Sequence, residues 1–81
     1  MSTFHMTVLR IIKANDGRFS WYQIDRELTH REGFDPGIVS SGLMPVLREL
    51  EHSGCIIAAA GQNSTPSLFS ITPAGRQQLE A

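Results

Sequence analysis

The sequence predicts an α+β fold: three helices, then a β-hairpin, then a short final helix. Three observations carry that expectation. Apolar residues recur at helical spacing in three successive stretches. Two short runs suited to strands flank "GQNSTPS", a stretch of turn formers. Capping or turn-forming residues stand at each junction between these segments.

In the first stretch, "STFHMTVLRIIKAN", Phe4, Val8, Ile11 and Ile12 fall at i, i+4, i+7 and i+8, with Leu9 widening the stripe. Ser2 or Thr3 can cap this helix, and "NDG" at 15–17 stops it. Residues 17–19 leave room for a very short extended strand. Ser20 and Gln23 then match a capping box, in which each side chain satisfies a free backbone N–H of the other residue. A second helix is therefore expected from Trp21, with Trp21, Ile24 and Leu28 on one face and Gly33 at its end. Trp21 is expected in the core and Tyr22 on a more open face.

"FDPGIV" reads as a turn-rich connector. Leu43, Val46, Leu47 and Leu50 form the third apolar stripe, closed by Gly54. Pro45 sits within that stretch, and a proline is tolerated in a first helical turn, where N–H groups have no partner. The third helix is therefore expected to start near Ser41 and not to run unbroken from Pro36. "CIIAAA" reads as a buried strand and "LFSI" as its partner. Thr72 as cap and Pro73 at the first helical position open the last helix.

Composition sets bounds. A chain of 81 residues suffices for one domain, read as 1–81. The longest apolar run is too short to cross a bilayer, and no export signal is expected from "MSTFHMTVLR", which lacks a charged leader followed by an apolar block. The single cysteine, Cys55, excludes an internal disulfide and fits a cytoplasmic location. His5, His30 and His52 lack the spacing of a zinc site. No phosphate loop, nucleophile elbow or carboxylate pair points to an enzyme, and no cofactor is implied. Cys55 reads as a buried thiol.

Three helices followed by a hairpin are the order of a winged helix-turn-helix, whose third helix enters a DNA major groove in its usual use and whose hairpin is the wing. "SGLMPVLRELEHSGCI" resembles the recognition-helix stretch of PadR-like transcriptional regulators. "FSITPAGRQQL" resembles their segment after the wing, and "WYQIDREL" their second helix. MarR-like proteins share the Thr-Pro-x-Gly-Arg segment. The resemblance covers most of the chain and implies a winged-helix DNA-binding regulator. Met44 stands where the family pattern has tyrosine, and the family's long C-terminal dimerisation helices are not expected here.

On that reading Ser40, Ser41, Met44 and Arg48 of the third helix contact double-stranded DNA, helped by Arg18 and by Gln62 and Asn63 of the wing tip. Arg48 is the only Lys or Arg between Gly33 and Gly75, and the net charge is −1. Arg48 also fits a surface arginine paired with nearby acids, Met44 a dimer contact, and the wing tip an ordinary hairpin turn. The low positive charge favours the alternative of a protein-binding adaptor. A homodimer or a protein partner is expected, with the first and last helices as available surfaces.

Overall fold

The computed structural model describes residues 2–59 and 66–80. Helix α1, Thr3–Ala14, is capped by Ser2, whose hydroxyl oxygen accepts the His5 N–H at 3.3 Å. It buries Thr7, Val8, Leu9, Ile11 and Ile12, the stripe the spacing anticipates. The Asn15 N–H bonds back to the Ile11 and Ile12 carbonyls and ends the helix.

Helix α2, Trp21–Arg26, starts at the expected capping box, with the Ser20 N–H donating to the Gln23 side-chain oxygen at 2.8 Å. It continues as a π-helical turn over Glu27–Arg31, closed by the Glu32 N–H on the Glu27 carbonyl at 3.0 Å. The Thr29 hydroxyl donates back to the Asp25 and Arg26 carbonyls, a competition with the backbone that supports the widened turn. Gly33 follows at φ +76°, a left-handed conformation that glycine adopts without a Cβ penalty.

Helix α3, Pro36–His52, corrects the expected start near Ser41. Asp35 caps it, its side-chain oxygen accepting from the N–H groups of Gly37 at 2.8 Å and Ile38 at 3.3 Å. Pro36 occupies the first helical position. This cap and the continuous burial of Val39, Leu43, Val46, Leu47 and Leu50 carry the helix through Pro45. The proline is tolerated because it lies on the exposed face. His5 Nε2 donates to Glu49 Oε2 at 2.5 Å and ties α1 to α3.

Strands β1, Ile56–Ala59, and β2, Leu68–Ile71, pair antiparallel with Ile56 opposite Ile71 and Ala59 opposite Leu68. The segment before α2 supplies the short extended piece, since Phe19 bridges Phe69 on the other edge of β2. β1 is only half buried: Ile56 faces inward, whereas Ile57 is 58% exposed. The period of two along a strand puts neighbouring residues on opposite faces. The "buried strand" reading of "CIIAAA" therefore holds for one face only.

Helix α4, Pro73–Glu80, is anchored by the Thr-Pro-x-Gly-Arg segment. The Thr72 hydroxyl donates to the Gly54 carbonyl and accepts the Gly75 N–H at 3.1 Å. The Thr72 N–H donates to the Cys55 carbonyl at 3.0 Å. Gly75 lies so close to that carbonyl that an added Cβ would sit 2.2 Å from its oxygen. Arg76 reaches Asp16 at 3.4 Å, and Asp16 also accepts the Ile71 N–H at 3.0 Å.

One core joins these elements: Val8, Leu9 and Ile12 of α1, Ile24 and Leu28 of the second helix, the α3 stripe, and Ile56, Phe69 and Ile71 of the hairpin. Cys55 is buried beside it. Among the described residues, no helix is long and apolar enough to cross a membrane, and no cluster of His, Cys, Asp or Glu could hold a metal ion.

Candidate nucleic-acid interface

Burial on one side of α3 dictates what its other side displays. Ser40, Ser41, Met44 and Arg48 are all exposed. At 3.6 residues per turn they occupy an arc of roughly 100°. Glu51, also exposed, lies on the same arc. The four candidates therefore share one outward face.

The chemistry of that face is uneven. The Ser41 hydroxyl donates to the Gly37 carbonyl at 2.9 Å and the Ser40 hydroxyl to the same carbonyl at 3.3 Å. Both hydroxyl protons are thus engaged within the helix, which leaves oxygen lone pairs outward. Arg48 makes no ion pair among the described residues. The paired-arginine alternative is therefore not seen within them, and the guanidinium is free to donate outward. Met44 is 42% exposed and adds an apolar, adaptable surface.

Trp21 is not a core residue, contrary to the sequence expectation; it is 41% exposed. It shares a face with Ile24 and Leu28, but it is the first residue of α2, where the core thins towards the base of the wing. Its ring meets the Tyr22 ring edge-on at 5.8 Å, and the Arg26 guanidinium lies 5.9 Å from the Tyr22 ring centre. Tyr22 is open, as expected, at 53% exposure. Between α2, α3 and the hairpin runs a shallow groove of about 320 Å³, lined by Trp21, Met44, Arg48, Glu51, Ala58 and Phe69 among others. Trp21 thus joins the surface beside Met44 and Arg48.

Arg18 is exposed but is not brought beside the α3 face. It precedes Phe19, which bridges the edge of β2 opposite β1, whereas β1 is the strand that packs on α3. Gln62 and Asn63 lie outside the described residues. Of the remaining cations, Arg31 pairs with Glu27 at 3.7 Å and Arg76 with Asp16.

Three helices, an antiparallel hairpin behind the third, and a bridging segment ahead of the second define the winged helix-turn-helix class. Neither a family model nor a curated protein matches this chain. Among solved structures, the chain is similar to a PadR family transcription regulator from hypervirulent Clostridium difficile R20291. The two share 19% sequence identity at a TM-score of 0.72, over 98% of this chain and 81% of that one. The fold expected from the resemblance is thereby established.

Proposed function

We propose that this chain is a DNA-binding transcription regulator of PadR-like type, acting in the cytoplasm as a single domain over 1–81. It inserts α3 into the major groove and lays the hairpin wing along the neighbouring backbone. Arg48 supplies the donor and charge, Ser40 and Ser41 offer oxygen acceptors, and Met44 makes apolar contact with thymine methyl groups. Gln62 and Asn63 of the wing tip touch the flanking backbone or minor groove, and Arg18 reaches a phosphate further along. The observation that carries this reading is the exposed face of α3, with an arginine that makes no ion pair among the described residues, set beside the base of the hairpin.

One copy presents little surface for high specificity. A homodimer on a palindromic site, assembled through α1 or α4, fits the scale of the interface.

Fluorescence anisotropy on a random duplex tests the reading. Binding is expected at low salt and should weaken as salt rises, because phosphate neutralisation releases counterions. Absence of binding even at low salt would refute it and turn the exposed face over to a protein partner.

A further inference from the structure

We propose that the groove between α2, α3 and the hairpin binds a free α-amino acid with a large apolar side chain, and that this ligand competes with DNA for α3. The binding stands on the groove alone; the competition rests on the DNA-binding reading above.

Glu51 is the residue that the DNA reading leaves without a task. It is exposed on the same arc as Met44 and Arg48, where phosphates would repel a carboxylate. Arg48 stands three residues before it, a spacing that makes helical side chains neighbours, about 5–6 Å apart at Cβ. Yet the two do not pair with each other, and neither makes an ion pair elsewhere among the described residues. Both line the groove. A cation and an anion thus stand side by side at one rim, with neither charge matched among the described residues.

The rest of the groove is apolar. Leu47 and Phe69, both buried in the core, reach it from below, and the exposed Trp21 and Met44 flank them. Its volume of about 320 Å³ lies at the lower end of the roughly 300–1,000 Å³ of small-molecule sites, which suits a ligand of amino-acid size.

Charge complementarity selects the occupant. The site calls for a carboxylate on the Arg48 guanidinium, an ammonium on Glu51 and an apolar body over Leu47 and Phe69. A free α-amino acid carries both charges on one carbon, with its side chain as a third substituent. A peptide does not, because its interior has neither charge and its termini lie at opposite ends. An amino acid held there engages the Arg48 guanidinium and lies against Met44, so α3 loses its strong donor toward DNA.

The chain has one tryptophan, Trp21, and it lines the groove, so its fluorescence reads occupancy directly. Titration with L-phenylalanine or L-leucine should give a saturable change at about millimolar concentration or below. 3-Phenylpropionate lacks the ammonium and phenethylamine lacks the carboxylate; each should bind about tenfold more weakly or worse. Arg48→Ala and Glu51→Gln, each checked for helix content by circular dichroism, should weaken L-phenylalanine binding by a similar factor. The ligand comparison uses the wild type alone, so a misfolded variant does not stop the measurement. Saturating L-phenylalanine should then lower duplex binding in the anisotropy assay. No fluorescence response to either amino acid would overturn the proposal and leave the DNA reading untouched. Equal binding of a phenylalanine peptide blocked at both termini would also overturn it, since the two charges would then select nothing. Saturable binding with no effect on the duplex would overturn the competition. A wild type that binds the amino acid but no duplex would uphold the site and remove the DNA reading.

Discussion

Two helical glycines should respond to the same substitution with opposite sign. Replacing glycine by alanine inside a helix removes backbone freedom from the unfolded chain and gains about 0.5–1 kcal/mol where space allows. At Gly42 in α3 an added Cβ meets nothing within 4 Å. Gly42→Ala should therefore stabilise the fold by that amount. At Gly75 in α4 the same methyl would stand 2.2 Å from the Cys55 carbonyl oxygen and 2.8 Å from the Ile71 Cγ1. Carbon-to-oxygen contacts settle near 3.3 Å or beyond, so α4 would have to retreat by about 1 Å. Overpacking of this kind costs about 1–3 kcal/mol. Retreat also strains the two bonds that Thr72 makes to the Gly54 and Cys55 carbonyls, each worth about 1 kcal/mol. After the propensity gain is subtracted, Gly75→Ala should lose roughly 2 kcal/mol. At about 4–8 °C per kcal/mol for a domain of this size, its melting temperature should fall by about 8–16 °C, while that of Gly42→Ala rises by about 2–8 °C. Thermal unfolding followed by circular dichroism at 222 nm reads both. A Gly75→Ala protein melting at or above the wild type would show that the close approach of α4 to the strand entry does not constrain the fold.

Other substitutions separate the interface from the scaffold. Arg48→Ala should weaken duplex binding by about tenfold, with a change in stability within about 0.5 kcal/mol; equal binding by wild type and variant would take α3 out of the interface. If Arg18, Arg26 and Arg48 each neutralise one phosphate, the logarithm of the binding constant should fall with log salt at a slope of about −2.7 per protomer. A much steeper slope would mean that cations elsewhere do the binding. Trp21→Ala should cost less than about 2 kcal/mol, against the 3–5 of a fully buried aromatic, yet weaken duplex binding; a larger loss in the thermal melt would return Trp21 to the core. Asp35→Ala should lose about 1 kcal/mol by removing the α3 cap, and the same melting experiment checks it.

Most helix boundaries were legible because they depend on local chemistry. Ser2, the Ser20–Gln23 pair and Thr72 each satisfy N–H groups within a few residues, so sequence neighbours suffice to identify them. The start of α3 was not legible from Pro45, because the proline's local preference competes with the cap and core contacts upstream of it. Its loss of one hydrogen bond is outweighed by a cap at Asp35 and by Val39, which extends the buried stripe one turn earlier. The exposed face of α3 was legible, since the apolar period that selects its core residues also selects the remainder. The place of Arg18 was not, because it depends on which edge of β2 receives Phe19. The π-helical turn was equally invisible: it arises from where the Thr29 hydroxyl and the Glu32 N–H find carbonyls.

The residues that carry the family resemblance divide by what they touch. Leu43, Val46, Leu47 and Leu50 point into the core, and Thr72, Gly75 and Arg76 fasten α4 to the strand ends and to the turn at Asp16. These positions answer to packing and backbone bonding, the interactions that set the architecture this chain shares with a solved structure at 19% identity. Ser40, Ser41, Met44 and Arg48 are exposed and lie outside the core cluster, and Met44 stands where the family pattern has tyrosine. An aromatic hydroxyl there could donate a hydrogen bond; a thioether cannot. On the DNA-binding reading, the exchange removes a donor from a face already rich in acceptors. It leaves Arg48 as the one strong outward donor among these four residues, and base preference should concentrate around it. The scaffold and the specificity of this chain thus reside in separate residues, which predicts that Met44→Tyr would change the selected sequence while leaving the melting temperature within a few degrees of the wild type.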